Sequence, residues 1–136
     1  MKLYQHPAST SSRPVIMFIA EEGLDVEQQI VDIMAGEQYG EAFSRINLNN
    51  FVPVLEDGEF RLIESSAILK FLAETSGSAT YPANPQARAR VNEMMDWFNT
   101  NLYRGLGYGL VYPQTLEYCA LQDEAALKLQ ITLGKA

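Results

Sequence analysis

The sequence predicts an α/β domain with a mixed sheet, followed by a short all-α segment. Three observations carry that reading. Over residues 1–76, β-prone apolar runs and amphipathic helical stripes follow one another in the order β-α-β-α-β-β-α. Asp57-Gly58 sits between two β-prone runs and signals a hairpin. Beyond a small, polar, Pro-bearing stretch over residues 77–84, apolar residues recur only at helical spacing.

Residues 2–6 read as a short strand stopped by Pro7. The loop Ala8-Ser9-Thr10-Ser11-Ser12-Arg13 follows, and Ser11 or Ser12 is expected to cap a helix with Pro14 in its first turn. Val15, Phe18 and Ile19 form its apolar stripe, and Glu22-Gly23 closes it. Val26 to Ile33 is β-prone and predicts a second strand. Residues 35–50 are polar and irregular, with one short helix around Tyr39 to Arg45. The hairpin spans 52–63. Pro53 has no N–H to donate, so it belongs at a strand's first residue or edge. A helix then runs from Ser65 to about Thr75, with Ala67, Ile68, Phe71 and Leu72 inward.

Residues 77–84 read as a linker. Pro85 starts a helix in which Val91, Met94, Met95, Phe98 and Leu102 recur on one face. Gly105, Gly107 and Gly109 are expected to interrupt it, and one more helix is expected from Leu116 to the end. The expected organisation is a first domain over 1–76, the linker, and a partial helical domain over 85–136. So apolar a helical stripe needs a partner. Either it packs on a second subunit, or the chain is a shortened form of a longer protein.

Composition narrows the function. Of 136 residues 47% are hydrophobic, enough for a real core and too many for a disordered chain. A net charge of −7 with no basic block argues against nucleic acid, which binds clustered Lys and Arg. The single Cys excludes an internal disulfide framework. The N-terminus is not a signal peptide, and no run reaches the roughly 18 apolar residues of a membrane span. A cytoplasmic protein without a membrane partner is the expectation. There is no phosphate-binding glycine loop, no metal-ligand cluster and no Ser-His-Asp set; His6 is the only His.

The most informative stretch runs from Asn50 to Ile68. Glu64-Ser65-Ser66 falls where a helix begins, so a carboxylate, hydroxyls and free backbone N–H groups come together. That set suits a small zwitterion: N–H and hydroxyl groups for its carboxylate, Glu64 for its amine. Taken alone, Ser9 to Ser12 and Glu64-Ser65 would serve equally well as plain helix starts.

Leu3-Tyr4, Pro7 to Arg13, Val52-Pro53-Val54-Leu55, Asp57-Gly58, Glu64-Ser65-Ser66-Ala67-Ile68 and Phe71-Leu72-Ala73-Glu74 occur in that order. This pattern resembles the N-terminal domain of cytosolic glutathione S-transferases of the serine-using classes (theta, delta, phi). The resemblance covers residues 1–76, and Trp97-Phe98 in the helix from Pro85 is similar to the start of the family's helical second domain. It implies a thioredoxin-like first domain, a homodimer, and transfer of the glutathione thiolate to small, mostly apolar electrophiles. Glutathione is then a co-substrate, and no cofactor or metal is implied. The resemblance puts Ser9 against the glutathione sulfur, with Ser11 as the alternative. Val52, before a cis Pro53, offers its backbone to the cysteinyl part. Glu64 and Ser65 hold the γ-glutamyl end, and Gln38 and Asn50 match positions at the glycyl end. Ser66 stands where some classes carry Arg, so an ionic contact to the γ-glutamyl carboxylate is expected to be missing. Most of the family's second helical bundle is absent.

In this chemistry the reacting sulfur belongs to the ligand. A free thiol ionises near pH 8.5, and bringing it down by about two pH units takes about 2.7 kcal/mol. One hydrogen bond to a charged group contributes about 1.5–3 kcal/mol, and a helix N-terminus adds positive potential. Ser9 and the first helix therefore suffice without a general base. Two rivals remain: a non-catalytic binding or interaction module, including a shortened inactive form, and a glutathione-dependent thiol-disulfide reductase. The second wants a Cys at the helix start, where this chain has Ser, Thr, Ser and Ser. Met94, Met95, Trp97 and Phe98 read as core or dimer contact. Tyr103, Tyr108 and Tyr112 read as packing rather than as a substrate pocket, and Cys119 reads as a small apolar residue.

Overall fold

Alternation along the first strand sets the architecture. In Lys2–Gln5 (β1), Leu3 and Gln5 are buried while Lys2 and Tyr4 are half-buried, because successive strand side chains leave opposite faces. The structure, a computed structural model, describes residues 1–116, 119 and 121–134. It divides into two compact units, Met1–Pro82 and Ala83–Ala136.

In the first unit β1 is followed by α1 (Ser12–Glu21), β2 (Glu27–Ile30), a 3-10 turn (Glu37–Tyr39), α2 (Glu41–Ser44), β3 (Val54–Asp57), β4 (Phe60–Ile63) and α3 (Ser65–Ser76). The strands lie in the order β2-β1-β3-β4. β1 is parallel to β2 and antiparallel to β3, and β3 is antiparallel to β4. This is the thioredoxin-like mixed sheet expected. Asp57 pairs with Phe60, so the hairpin loop is Gly58-Glu59, and Gly58 takes a φ of +61° that a residue with a Cβ rarely adopts.

Both faces of the sheet are covered. Leu3 pairs with Leu55 and Tyr4 with Val54, so each pair feeds a different layer. Leu3 and Leu55 pack with Val15 and Ile19 of α1 and with Ile68 and Leu72 of α3. Val54 packs with Val31, Phe43 and Val52, joined by Tyr4 and Ile63. Burying one such side chain contributes about 1.5–3 kcal/mol. The second strand is shorter than the run Val26 to Ile33 suggested. Glu27–Ile30 is an exposed edge, while Val26 and Val31 turn inward at its ends. β-propensity marked the apolar run, but only its middle finds a neighbouring strand.

In the second unit α4 (Pro85–Trp97) begins as expected. The Asn84 side chain accepts from the N–H groups of Gln86 and Ala87, and Pro85 stands in the first turn. Gly105, Gly107 and Gly109 do not break the helical run. Phe98–Val111 continues as a wider helix and passes into α5 (Tyr112–Thr115). A helical glycine costs about 1 kcal/mol relative to alanine, and the wider helix carries all three. Gly109 instead permits close approach. A Cβ there would lie 2.8 Å from the Gly134 Cα, and one on Gly134 would lie 2.4 Å from the Gly109 carbonyl carbon. Leu116 is extended, not helical. The last helix, α6 (Glu124–Leu133), starts only where the Asp123 carboxylate accepts from the Ala126 N–H. Residues 117, 118, 120, 135 and 136 of the expected final helix lie outside the described residues. Among the described residues, no helix is long and apolar enough to cross a membrane.

Candidate glutathione site

The topology gathers segments that are far apart in sequence. Because β1 and β2 run together and β3 runs against them, β1, β2 and β4 all end where β3 begins. The segments at that end carry Ser9 and Ser11, Gln38, Asn50 to Pro53, and Glu64 to Ser66. All nine candidate residues thus flank one end of the sheet.

Ser9 turns out to be the residue that caps α1. Its carbonyl accepts from the Arg13 N–H at 3.0 Å and its Oγ from the Ser12 N–H at 3.2 Å, the pattern of an N-cap. Ser11 holds the position just before α1, as expected, but its side chain makes no capping bond, and Ser12 lies inside the helix. Ser12 is fully buried with its Oγ unpartnered, and Ser11 reaches across the chain to donate to the Val52 carbonyl at 3.1 Å. Ser9 and Ser11 Oγ are 3.1 Å apart. Each hydroxyl has one proton. Ser11 spends its proton on Val52, so Ser9 is the donor in the Ser9–Ser11 bond. The first turn of α1 contains no acidic residue and one cation, Arg13, so nothing there offsets the positive end of the helix.

The Val52–Pro53 peptide is cis, as the resemblance implied, and both residues are buried. Val54 pairs with Ile63, which sets Val52-Pro53 beside the start of α3. There Glu64 is exposed, with φ +70° and ψ 114°, and its side chain makes no capping bond. Such a backbone costs a non-glycine residue about 1–3 kcal/mol, and residues held this way cluster at ligand sites. Ser65 and Ser66 follow, both half-buried. Gln38 donates from Nε2 to the Ile33 carbonyl at a long 3.5 Å and keeps a buried, unpartnered Oε1. Asn50, at φ +56°, accepts at Oδ1 from Ser44 Oγ at 2.8 Å.

Ser44 and Asn47 also shape this end of the sheet, and neither stood out in the sequence. The signal was present: three Asn in the four residues 47–50 mark a loop in which side-chain amides stand in for backbone partners. His6 serves its own loop, with Nδ1 accepting from the Ala8 N–H at 3.1 Å. Among the described residues, the hydrogen bond with Glu93 holds the Arg90 guanidinium of α4 above its ordinary value, and the other resolved pKa changes lie along the strands. The hydrogen bond from Arg61 holds the Glu56 carboxyl below its ordinary value, and burial pushes the Tyr4 phenol up, with Glu56 adding to it. Among the described residues, no group of three or more His, Cys, Asp and Glu is placed to hold a metal ion. In the second unit Tyr103, Tyr108 and Tyr112 pack edge-on, and the hydroxyls of Tyr103 and Tyr112 are 2.6 Å apart.

A mixed sheet, a serine-capped first helix and a cis-proline loop at the same end define a thioredoxin-like domain. The family model described as "Glutathione S-transferase, N-terminal domain" matches residues 1–74, and the chain belongs to that family. It is 41% identical over 104 residues to glutathione S-transferase theta-2 of Mus musculus, covering 75% of this chain and 43% of that protein. It is 38% identical over 106 residues to glutathione S-transferase theta-1 of Homo sapiens, covering 76% and 44%. The crystal structure of human glutathione transferase theta-2 with glutathione and an unknown ligand superposes with a TM-score of 0.82 at 32% identity, over 98% of this chain and 56% of that one. The chain spans about half the length of the curated relatives it matches.

Proposed function

We propose that the chain binds glutathione at the β3-entry end of its sheet, ionises the thiol and transfers it to a small, mostly apolar electrophile. The observation that carries the reading is the hydroxyl relay at the head of α1. Ser9 accepts from the helix and donates its proton to Ser11, whose own proton is committed to Val52. A thiolate arriving beside Ser9 would accept that hydrogen bond in place of Ser11. A neutral hydrogen bond is thereby exchanged for a charge-assisted one of about 1.5–3 kcal/mol. The uncompensated N-terminus of α1 acts in the same direction. Together they match the roughly 2.7 kcal/mol needed to bring the thiol down by about two pH units.

In this reading the cis Val52-Pro53 segment aligns the cysteinyl backbone. Glu64, Ser65 and Ser66 take the γ-glutamyl end, and Gln38 and Asn50 take the glycyl carboxylate. Residues 1–76 form the glutathione-binding domain, 77–84 the linker and 85–136 a partial helical domain. Glutathione is consumed as co-substrate. The theta-2 structure with bound glutathione supports this by analogy. The exposed Met94, Phe98 and Leu102 on the helical unit support a homodimer, and the family supports a cytoplasmic setting.

Replacing Ser9 tests the mechanism. Ser9→Ala is expected to lower turnover with a model electrophile about ten- to a hundred-fold and to move the pH–rate profile to higher pH, because the lost bond favoured the anion. Glutathione binding by calorimetry stays largely intact. Full activity in that variant would remove Ser9 from the mechanism. A second reading, a glutathione-binding module without catalysis, is favoured by the open apolar face of the helical unit. Ultraviolet absorbance separates the two: bound glutathione that does not ionise supports the module.

A further inference from the structure

Asn50 sits in a loop tied down on every side. Its N–H donates to the Asn47 carbonyl at 3.0 Å. Asn47, only 7% exposed, donates from Nδ2 to the Phe51 carbonyl at 2.9 Å and accepts at Oδ1 from the Asn49 N–H at 3.0 Å. One buried side chain therefore pins the backbone on both sides of Asn50 and holds it at φ +56°. Asn tolerates that region better than most residues, so the loop specifies its residue as well as its shape.

The side chain of Asn50 is fixed separately. An amide has an acceptor oxygen and a donor nitrogen, and either end can be turned outward. Ser44, the last residue of α2, donates from Oγ to Asn50 Oδ1 at 2.8 Å. With the oxygen held, the NH2 group is the end left to offer. A carboxylate accepts only, so it needs that end. No Lys or Arg occurs between positions 46 and 53, so amide orientation does the discriminating that a cation would otherwise do.

We propose that Ser44 is a positioning residue for the glycyl carboxylate of glutathione: it holds the Asn50 amide with its donor outward. The proposal rests on the glutathione reading above and adds a specificity-determining residue to it. Its test uses the whole chain and two ligands, glutathione and γ-glutamylcysteine, which lacks the glycyl residue. Ser44→Ala is expected to weaken glutathione about three- to ten-fold by calorimetry and to leave γ-glutamylcysteine unchanged. Ser44→Thr keeps the hydroxyl and restores binding. Ser44→Ala added to Asn50→Ala weakens glutathione no further than Asn50→Ala alone. Asn50→Asp keeps an oxygen for Ser44 and removes the donor, so it is expected to show the same ligand selectivity even if Ser44→Ala does not fold. Equal losses for both ligands, or no loss for glutathione, overturn the proposal. Unaltered protein that takes up neither ligand overturns the glutathione reading itself, a result distinct from either of these.

Discussion

The two units use similar apolar content in opposite ways. Among the described residues, every member of the buried apolar core lies between Leu3 and Ala73, in the first unit. In the second, among the described residues, Gly107 and Pro113 are the buried ones, while Met94, Trp97, Phe98 and Leu106 are each about half exposed. A sheet presents two faces and the first unit covers both, with α1 and α3 on one and Phe43 of α2 on the other. In the second unit α6 meets the wider helix at Gly109, yet much of the apolar stripe stays open. Periodicity reports that a face is apolar; it does not report whether that face is covered.

Core truncation should separate the units most. Leu55→Ala removes a fully buried side chain between the sheet and two helices and is expected to cost about 2–5 kcal/mol in urea unfolding. Met94→Ala, on the exposed face of α4, is expected to change stability by less than about 0.5 kcal/mol. Comparable losses would mean that the stripe is covered in solution, and concentration-dependent unfolding would then identify a second copy as the cover.

Caps come next in size. Asn84 satisfies two N–H groups at the start of α4, and Asn84→Ala is expected to cost about 1 kcal/mol. The loss should show as faster amide exchange in the second unit, with exchange around Leu3 and Leu55 unchanged. Uniform acceleration would show that the units unfold as one.

The smallest effect is a pH dependence confined to the sheet. Arg61 bonds Glu56 at 2.8 Å and holds its carboxyl low. A carboxyl whose folded value is depressed stabilises the fold above its unfolded pKa and loses that contribution as pH falls through the folded one. Arg61→Gln is expected to raise the midpoint of acid unfolding slightly and to leave stability at pH 7 within about 1 kcal/mol, because the pair is partly exposed. An unchanged acid midpoint would show that the pair contributes nothing.

The first unit was legible because its signals are local and agree with one another. Pro7, Asp57-Gly58, Gly23 and Gly77 punctuate the chain, and the runs between them have the right period. The errors share a cause. Val26 to Ile33 promised a longer strand than β1 could pair. Gly105, Gly107 and Gly109 looked like breakers, yet Gly109 is needed where its backbone meets Gly134. Ser11 stands at the N-cap position of α1, but its hydroxyl is drawn 41 residues away to Val52.

The sequence by itself determined the order of elements, the apolar residues that cover both faces of the sheet, and the residue types available at the end where β3 begins. These follow from dihedral preference and period, which a few neighbouring residues set. Only the tertiary structure decided that Ser9 receives the first N–H groups of α1, that the Ser11 hydroxyl donates to Val52, and that Ser44 donates to the Asn50 amide oxygen. Each depends on a partner distant in the chain or on a fold that brings it within reach. A hydroxyl or an amide has several possible partners of nearly equal energy, and geometry alone chooses among them.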